Sequence, residues 1–330
     1  MSSGKVKFFR LDKQSQSIRS EIDEAIDKVI ASDQFVLGDE VRLFEMEFSE
    51  YTGTHYAVGV ASGTDAITLA LMAIGVSAGD EVITVANTAA PTVVAICRSG
   101  AFPVFVDIEE NGFQMDPELI EECITDKTKA IVPVHLYGEP APIKRILEIA
   151  EKHNIPVVED ACQAHGAHFN SKKVGAWGVM GCFSFYPTKN LGGFGDGGMI
   201  VLDDAKMYER LCLLRNYGQK SKYEHVEVGV NSRLDELQAA ILRVKLKFID
   251  KWNGERSDIA RRYSDKISHP DVIKPICREG WASANHLYVV RSTVRDQLKK
   301  WLLDNGVETM IHYPMPLHLQ PAFAFVKCKS

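Results

Sequence analysis

Residues 183–198 read FSFYPTKNLGGFGDGG. The first residues alternate as a strand does, and Pro187 ends that strand because it cannot donate to a ladder. One lysine, Lys189, follows, and glycines then crowd into 192–198. Gly193, Gly195 and Gly198 also spell G-x-G-x-x-G, a dinucleotide fingerprint that must leave a strand directly and open a helix. Here the order is reversed: the glycines follow the lysine turn and run into a second apolar stretch, MIVLD at 199–203. The nicotinamide reading is therefore rejected. The glycines read as thin backbone where ligands, or another subunit, approach closely.

Upstream, strand-like and helix-like segments alternate. YAVGVA (56–61), EVITVA (81–86), PVFVDI (103–108), AIVPVHL (130–136) and VVED (157–160) read as buried strands. Between or before them lie helical patterns: 17–31 with Ile18, Ile22, Ile26, Val29 and Ile30 in step, DAITLALMAIG (65–75), PELIEECI and APIKRILEIAEKH. This alternation predicts an α/β fold with a mostly parallel central sheet flanked by helices on both faces. A further helix is expected over 233–248, with Ser232 and Asp235 forming a capping box at its start. Past about residue 251 the pattern becomes helix, strand (HLYVVR, 286–291) and helix (VRDQLKKWLLDNG). We therefore expect a large domain over 1–250 and a small α+β C-terminal domain over 251–330.

The bulk properties exclude several classes. With 330 residues and 45% apolar content the chain can bury a sizeable core. A formal net charge of −6 and the lack of a basic run argue against a nucleic-acid partner. The seven cysteines (97, 123, 162, 182, 212, 277 and 328) are scattered without a C-x-x-C pair. They predict reduced thiols rather than a disulfide framework or a metal cluster. The first residues carry no apolar h-region and no run is long enough to span a bilayer, so a cytoplasmic protein without a membrane partner is expected.

In such sheets ligands sit beyond the carboxyl ends of strands, and four places there carry chemistry. Ser62-Gly63-Thr64 ends a strand and opens a helix; it reads as an anion site or as a plain cap by Ser62 and Asp65. Asp160 ends a buried strand and needs a cation or donors. It reads as a partner for a protonated pyridine nitrogen, such as that of pyridoxal phosphate (PLP), or as a turn cap. Gln163 follows closely enough to reach a ring edge, while His165 and His168 lack the company that a metal site requires. Lys189 reads as a Schiff-base amine in a cleft or as a solvated loop lysine. Asn231, just ahead of a helix start, reads as a phosphate contact or a cap, with Arg233 beside it.

Taken in order, SGTDA, EDACQAHGA, SFYPTKNLGGFGDGG and NSRLDELQAAIL resemble the nucleotide-sugar aminotransferases of the PLP fold-type I superfamily, the DegT-like group. FVLGDEVRLFEMEFSEYTG and HYPMPLHLQPAF resemble it too, so the likeness runs from about residue 7 to 325. It implies that Lys189 forms the internal aldimine, that Asp160 pairs with the pyridinium nitrogen and that Gln163 lies by the ring hydroxyl. Gly63, Thr64 and Ser184 would hold the phosphate, and Asn231 would reach it from the neighbouring subunit of a homodimer with shared sites. Tyr186, His312, Tyr313 and Lys222 would meet the sugar. The implied reaction takes the amino group of glutamate and delivers it to a keto-deoxysugar, with a dTDP-linked 3-keto-6-deoxyhexose as the first expectation. A cousin class with histidine in place of the lysine dehydrates the sugar, and a non-catalytic regulator is the other alternative.

The chain departs from that pattern twice. Ala89 stands where many members place an aromatic over the cofactor ring. Members also continue for some tens of residues past HLQPAF, so the small domain is expected to lack its terminal helix.

Overall fold

The computed structural model describes residues 5–276 and 278–326; Cys277 and Cys328 lie outside them. The central sheet contains β1 (Tyr56–Val60), β2 (Glu81–Val85), β3 (Phe102–Val106), β4 (Thr128–Ile131), β5 (Val158–Asp160), β6 (Met180–Ser184) and β7 (Gly198–Leu202). β1, β7, β6 and β5 lie side by side in that order, and β3, β2 and β4 form the other half. Parallel bridges from Ile131 to Val157 and from Val134 to Asp160 join the halves. Pairing is parallel except at β7, which is antiparallel to both β1 and β6. The cause is the connection: parallel return needs a crossover helix, and the segment between β6 and β7 is the lysine turn with its glycines.

Helices α1 (Arg19–Ser32), α2 (Asp39–Thr52), α3 (Gly63–Ala73), α4 (Ala90–Arg98), α5 (Ile143–Lys152) and α6 (Ala205–Leu214) interleave with the strands. α7 (Glu236–Leu246), α8 (Ile249–Lys266) and α9 (Arg295–Asp304) follow. Both sheet faces are covered. Cys182 and Ile200 pack with Leu69 and Ala70 of α3 and Leu211 of α6. Their chain neighbours Phe183 and Val201 pack on the opposite face with Phe44 and Phe48 of α2 and Leu242 of α7. Side chains alternate along a strand, so one apolar run feeds both layers. The chain therefore has the α/β layers and the mostly parallel sheet expected of it.

Two local expectations are corrected. The helix expected over 233–248 begins at Glu236, and its N-cap Asp235 makes no side-chain cap. Ser232 instead donates to Asp65 Oδ2 at 2.8 Å and accepts from the Ala61 amide at 3.1 Å. A tertiary partner has displaced the local one. The strand expected at HLYVVR is an extended segment: Leu287 N donates to Tyr137 O at 3.2 Å, and Arg291 bridges Ile273. It is tied to the 3-10 turn Leu136–Gly138 and to an isolated bridge at Ile273 rather than to a neighbouring strand.

Candidate active site

β5 and β6 bring two stretches together, with Asp160 in register with Cys182. Asp160 is 5% exposed. Its Oδ2 accepts from Thr92 Oγ1 at 2.7 Å and its Oδ1 from the Cys162 amide at 3.1 Å. Thr92 and Thr88 hydroxyls are 2.9 Å apart behind it. A carboxylate has about four acceptor positions, so this one keeps capacity for a further donor.

Lys189 stands in a closed turn. Its amide donates to Tyr186 O, and Gly193 N returns to Phe185 O, both at 2.8 Å. The next residue, Asn190, fixes the turn from one side. Its Nδ2 donates to Asn253 Oδ1 at 2.9 Å and Ala284 O at 2.7 Å, and its Oδ1 accepts from His286 Nδ1 at 3.0 Å. Burial lowers the Lys189 pKa, while nearby Cys162 and Asp160 act in the opposite direction. Burial, and then the Lys189 charge, also lowers His286 and His312, and brings His165 down to about 3. The lysine amine, the acid and these imidazoles thus share one electrostatic neighbourhood.

The start of α3 makes the third wall. Ser62 does cap the helix, its Oγ accepting from Asp65 N at 3.1 Å. The Asp65 carboxylate is turned to Arg98 Nη1 at 2.7 Å and Ser232 Oγ at 2.8 Å. Its charge is therefore occupied elsewhere, and the helix N-terminus remains suited to an anion. A Cβ on Gly63 would sit 2.7 Å from Ser184 Cβ and 2.8 Å from Cys162 Sγ, so only glycine allows this approach. Thr64 is partly buried beside it. Across the loop, a Cβ on Gly198 would meet Ser62 O at 2.3 Å, which explains that end of the glycine run.

On the remaining side, Gln163 Oε1 accepts from Tyr137 N at 2.8 Å, and its Nε2 donates to the Tyr313 hydroxyl at 3.3 Å. Tyr137 OH donates to His312 O. The His312 ring stacks on Phe8, centroids 5.7 Å apart. Tyr186 is half exposed, and its amide donates to Ser184 Oγ at 3.3 Å. Lys222 is exposed over the Tyr223 ring, and Asn231 is exposed where its backbone bridges Asn216. Among the described residues, neither Lys222 nor Asn231 forms a hydrogen bond or ion pair with the cluster around Lys189.

Sequence reading missed Thr92, Tyr137, Cys162 and the Asn190–His286 pair. Cys162 sits two residues past Asp160 and was findable; Thr92 and Tyr137 arrive from other elements, and no local pattern marks them. The assembled residues can seat an anion on α3, face a carboxylate toward a basic heteroatom and present a desolvated amine to a carbonyl carbon.

Comparison with known proteins gives the same direction. The profile of the DegT/DnrJ/EryC1/StrS aminotransferase family matches residues 16–329. The chain is 44% identical over 321 residues to dTDP-3-amino-3,4,6-trideoxy-alpha-D-glucose transaminase of Streptomyces venezuelae, covering 97% of this chain and 85% of the relative. It is 46% identical over 320 residues to the erythromycin biosynthesis sensory transduction protein EryC1 of Saccharopolyspora erythraea, covering 97% and 87%. The solved structure of S. venezuelae DesV in complex with ketimine intermediate superposes with a TM-score of 0.96 at 44% identity, over 99% of this chain and 88% of that one.

Proposed function

The chain belongs to the DegT/DnrJ/EryC1/StrS aminotransferase family, and from that premise we propose that it moves an amino group from glutamate to the keto carbon of a nucleotide-linked deoxysugar. It is a PLP-dependent sugar aminotransferase of fold type I. PLP, when bound, supplies the electron sink that lets an amino group change carbon. The residues present fit that cofactor: Gly63 leaves no room for a Cβ beside Ser184, and Asp160 keeps acceptor capacity.

In this reading Gly63, Thr64 and Ser184 hold the phosphate at the N-terminus of α3. Asp160, braced by Thr92, faces the ring nitrogen, and Gln163 faces the ring hydroxyl. Lys189 carries the cofactor. Its amine would take and return the proton at the substrate carbon, a role worth about 10²–10⁴ in rate. Burial lowers its pKa, so a larger share of the amine is free to accept that proton. Tyr186, Lys222, His312 and Tyr313 orient the sugar, and Asn231 serves the phosphate of the partner subunit in a cytoplasmic homodimer. That arrangement gives the exposed Asn231 a task that its own chain does not. The division into 1–250 and 251–330 belongs to the same proposal, with Val6 laid along Val307 of the smaller unit. The wording NSRLDELQAAILRVKL and HYPMPLH, together with the name of the 44%-identical transaminase, favours amination at C3 of a dTDP-linked 6-deoxyhexose.

The observation that carries this reading is the partly buried Lys189, whose amine is desolvated and lies in electrostatic reach of the buried Asp160. Purified protein given PLP should gain a visible absorbance band, and borohydride should fix the cofactor to the Lys189 peptide. Glutamate should bleach the band, and a panel of nucleotide keto-sugars should identify the acceptor. A keto-deoxy product without glutamate consumption would move the assignment to a dehydratase. Cofactor binding without turnover on any sugar would favour the regulatory role that the name of the EryC1 relative carries.

A further inference from the structure

Lys245 lies on α7, seven residues after Gln238 and therefore on the same helical face. It is 1% exposed. Among the described residues no carboxylate pairs with it. Its Nζ donates to the carbonyl of Gly192 and stands 5.5 Å from the centre of the Phe194 ring. Burial lowers its pKa to about 8. An ammonium sunk against one carbonyl is a poor core filler, and an apolar residue of similar length would be easier to bury there.

What it holds accounts for its place. Gly192 lies three residues past Lys189 in the same closed turn. Gln238 Oε1 accepts from the Phe194 amide at 2.7 Å. The turn is therefore gripped at Asn190 by Asn253, Ala284 and His286, and two to four residues later by α7. We propose that Lys245 is a positioning residue which, together with Gln238, fixes the turn so that the Lys189 amine is aimed at the aldehyde of the cofactor. Lys245 touches neither substrate nor cofactor; it acts through the backbone of residues 189–194. This rests on the reading that Lys189 carries the cofactor.

The test uses the full chain as Lys245→Met, Lys245→Arg and Gln238→Ala, each supplied with PLP. In Lys245→Met, kcat should fall about 10- to 100-fold, the penalty of a reacting group displaced by roughly an ångström. KM for the sugar should stay within about twofold, since the sugar contacts are untouched. Capture of PLP, followed by growth of the visible band, should slow by a similar factor, and the amides of 189–195 should exchange faster with solvent. Lys245→Arg should restore most of the capture rate. A Lys245→Met protein with wild-type capture, exchange and kcat overturns the proposal. So does an equal loss in kcat and in global stability that arginine fails to rescue. If Lys245→Met does not fold, Gln238→Ala decides by the same readouts. If the wild type gains no band and borohydride fixes nothing to Lys189, the proposed function fails, while exchange at 189–195 still decides whether α7 grips the turn.

Discussion

Glu159 and Asp160 are consecutive residues of β5, both buried and pointing to opposite faces of the sheet, yet they are wired differently. Glu159 is saturated. Its Oε1 accepts from the amides of Trp177 and Gly178 at 2.7 Å each, and its Oε2 meets Gly175 N at 2.8 Å and His135 Nε2 at 2.9 Å. His135 Nδ1 accepts from Ala141 N, so Nε2 is the nitrogen that donates to Glu159. Among the described residues, the Asp160 carboxylate accepts from the Thr92 hydroxyl and the Cys162 amide. A buried carboxylate with every lone pair engaged holds chain segments together. One with spare capacity, set at a strand end beside a desolvated amine, is available for chemistry.

Exchanging the two roles is the strongest way to break this contrast. Asp160→Asn should lower turnover by roughly 10²–10³, as losing one preorganised electrostatic contact does. Its melting temperature should move little. Glu159→Ala should do the reverse: three amides and His135 lose their acceptor, and stability should fall by about 3–5 kcal/mol. Activity per folded molecule should survive. Calorimetry and kinetics on both variants check this, and equal thermal losses would dissolve the distinction.

Thr92→Val sharpens it. Among the described residues the hydroxyl hydrogen-bonds to Asp160 and Thr88, so its removal should act on the cofactor rather than on the fold. We expect cofactor affinity to weaken by about 1–3 kcal/mol, the effect of one hydrogen bond to a charged group. The pH titration of the visible band should shift as well. Thr92→Ser should recover both, and an unchanged titration in Thr92→Val would show that Asp160 needs no support.

Glu139, a partly buried carboxylate, gives the smallest expected effect. Burial first, and then Glu109, raises its pKa to about 7 against the opposing pull of Arg278. An unfolded glutamate titrates near 4.3. The folded value is higher, so the native state binds more protons between those limits. The stability it contributes is complete below about pH 4.3 and is lost as pH rises through about 7. Glu139→Gln should flatten the dependence of melting temperature on pH between 5 and 8. Above pH 7 it should gain on the order of 1–2 kcal/mol over the wild type. A variant that retains the wild-type slope would place the proton elsewhere.

The residues that were legible in the sequence are those whose task is local. The strand runs are apolar because both sheet faces are covered, which let most of β1–β7 be located to within a few residues; the expectation over 130–136 overran β4, which ends at Ile131 before a 3-10 turn at Leu136–Gly138. Asp160 announces itself as an acid that ends a buried strand, and Lys189 as the lone lysine of the turn beyond the next one. Thr92 could not be found this way. It lies 68 positions from Asp160, and nothing in APTVVAICR distinguishes a helix threonine that faces an acid from one that faces solvent. Ser232 misled for the same reason: its spacing to Asp235 satisfies a capping rule, but Asp65 and Ala61 compete for its hydroxyl and win. HLYVVR has strand composition, yet pairing depends on a neighbour that its own letters do not specify.

One further consequence lies in the reversed strand β7. The loop that feeds it is tied at both ends, and Gly198 sits against Ser62 with no clearance. Adding a single residue to that loop would slide β7 by one position, and because its side chains alternate, Ile200 and Val201 would trade hydrophobic layers. The span from the catalytic turn to the sheet is thus proofread by the interior on both sides, and insertions tolerated in most surface loops have no room here.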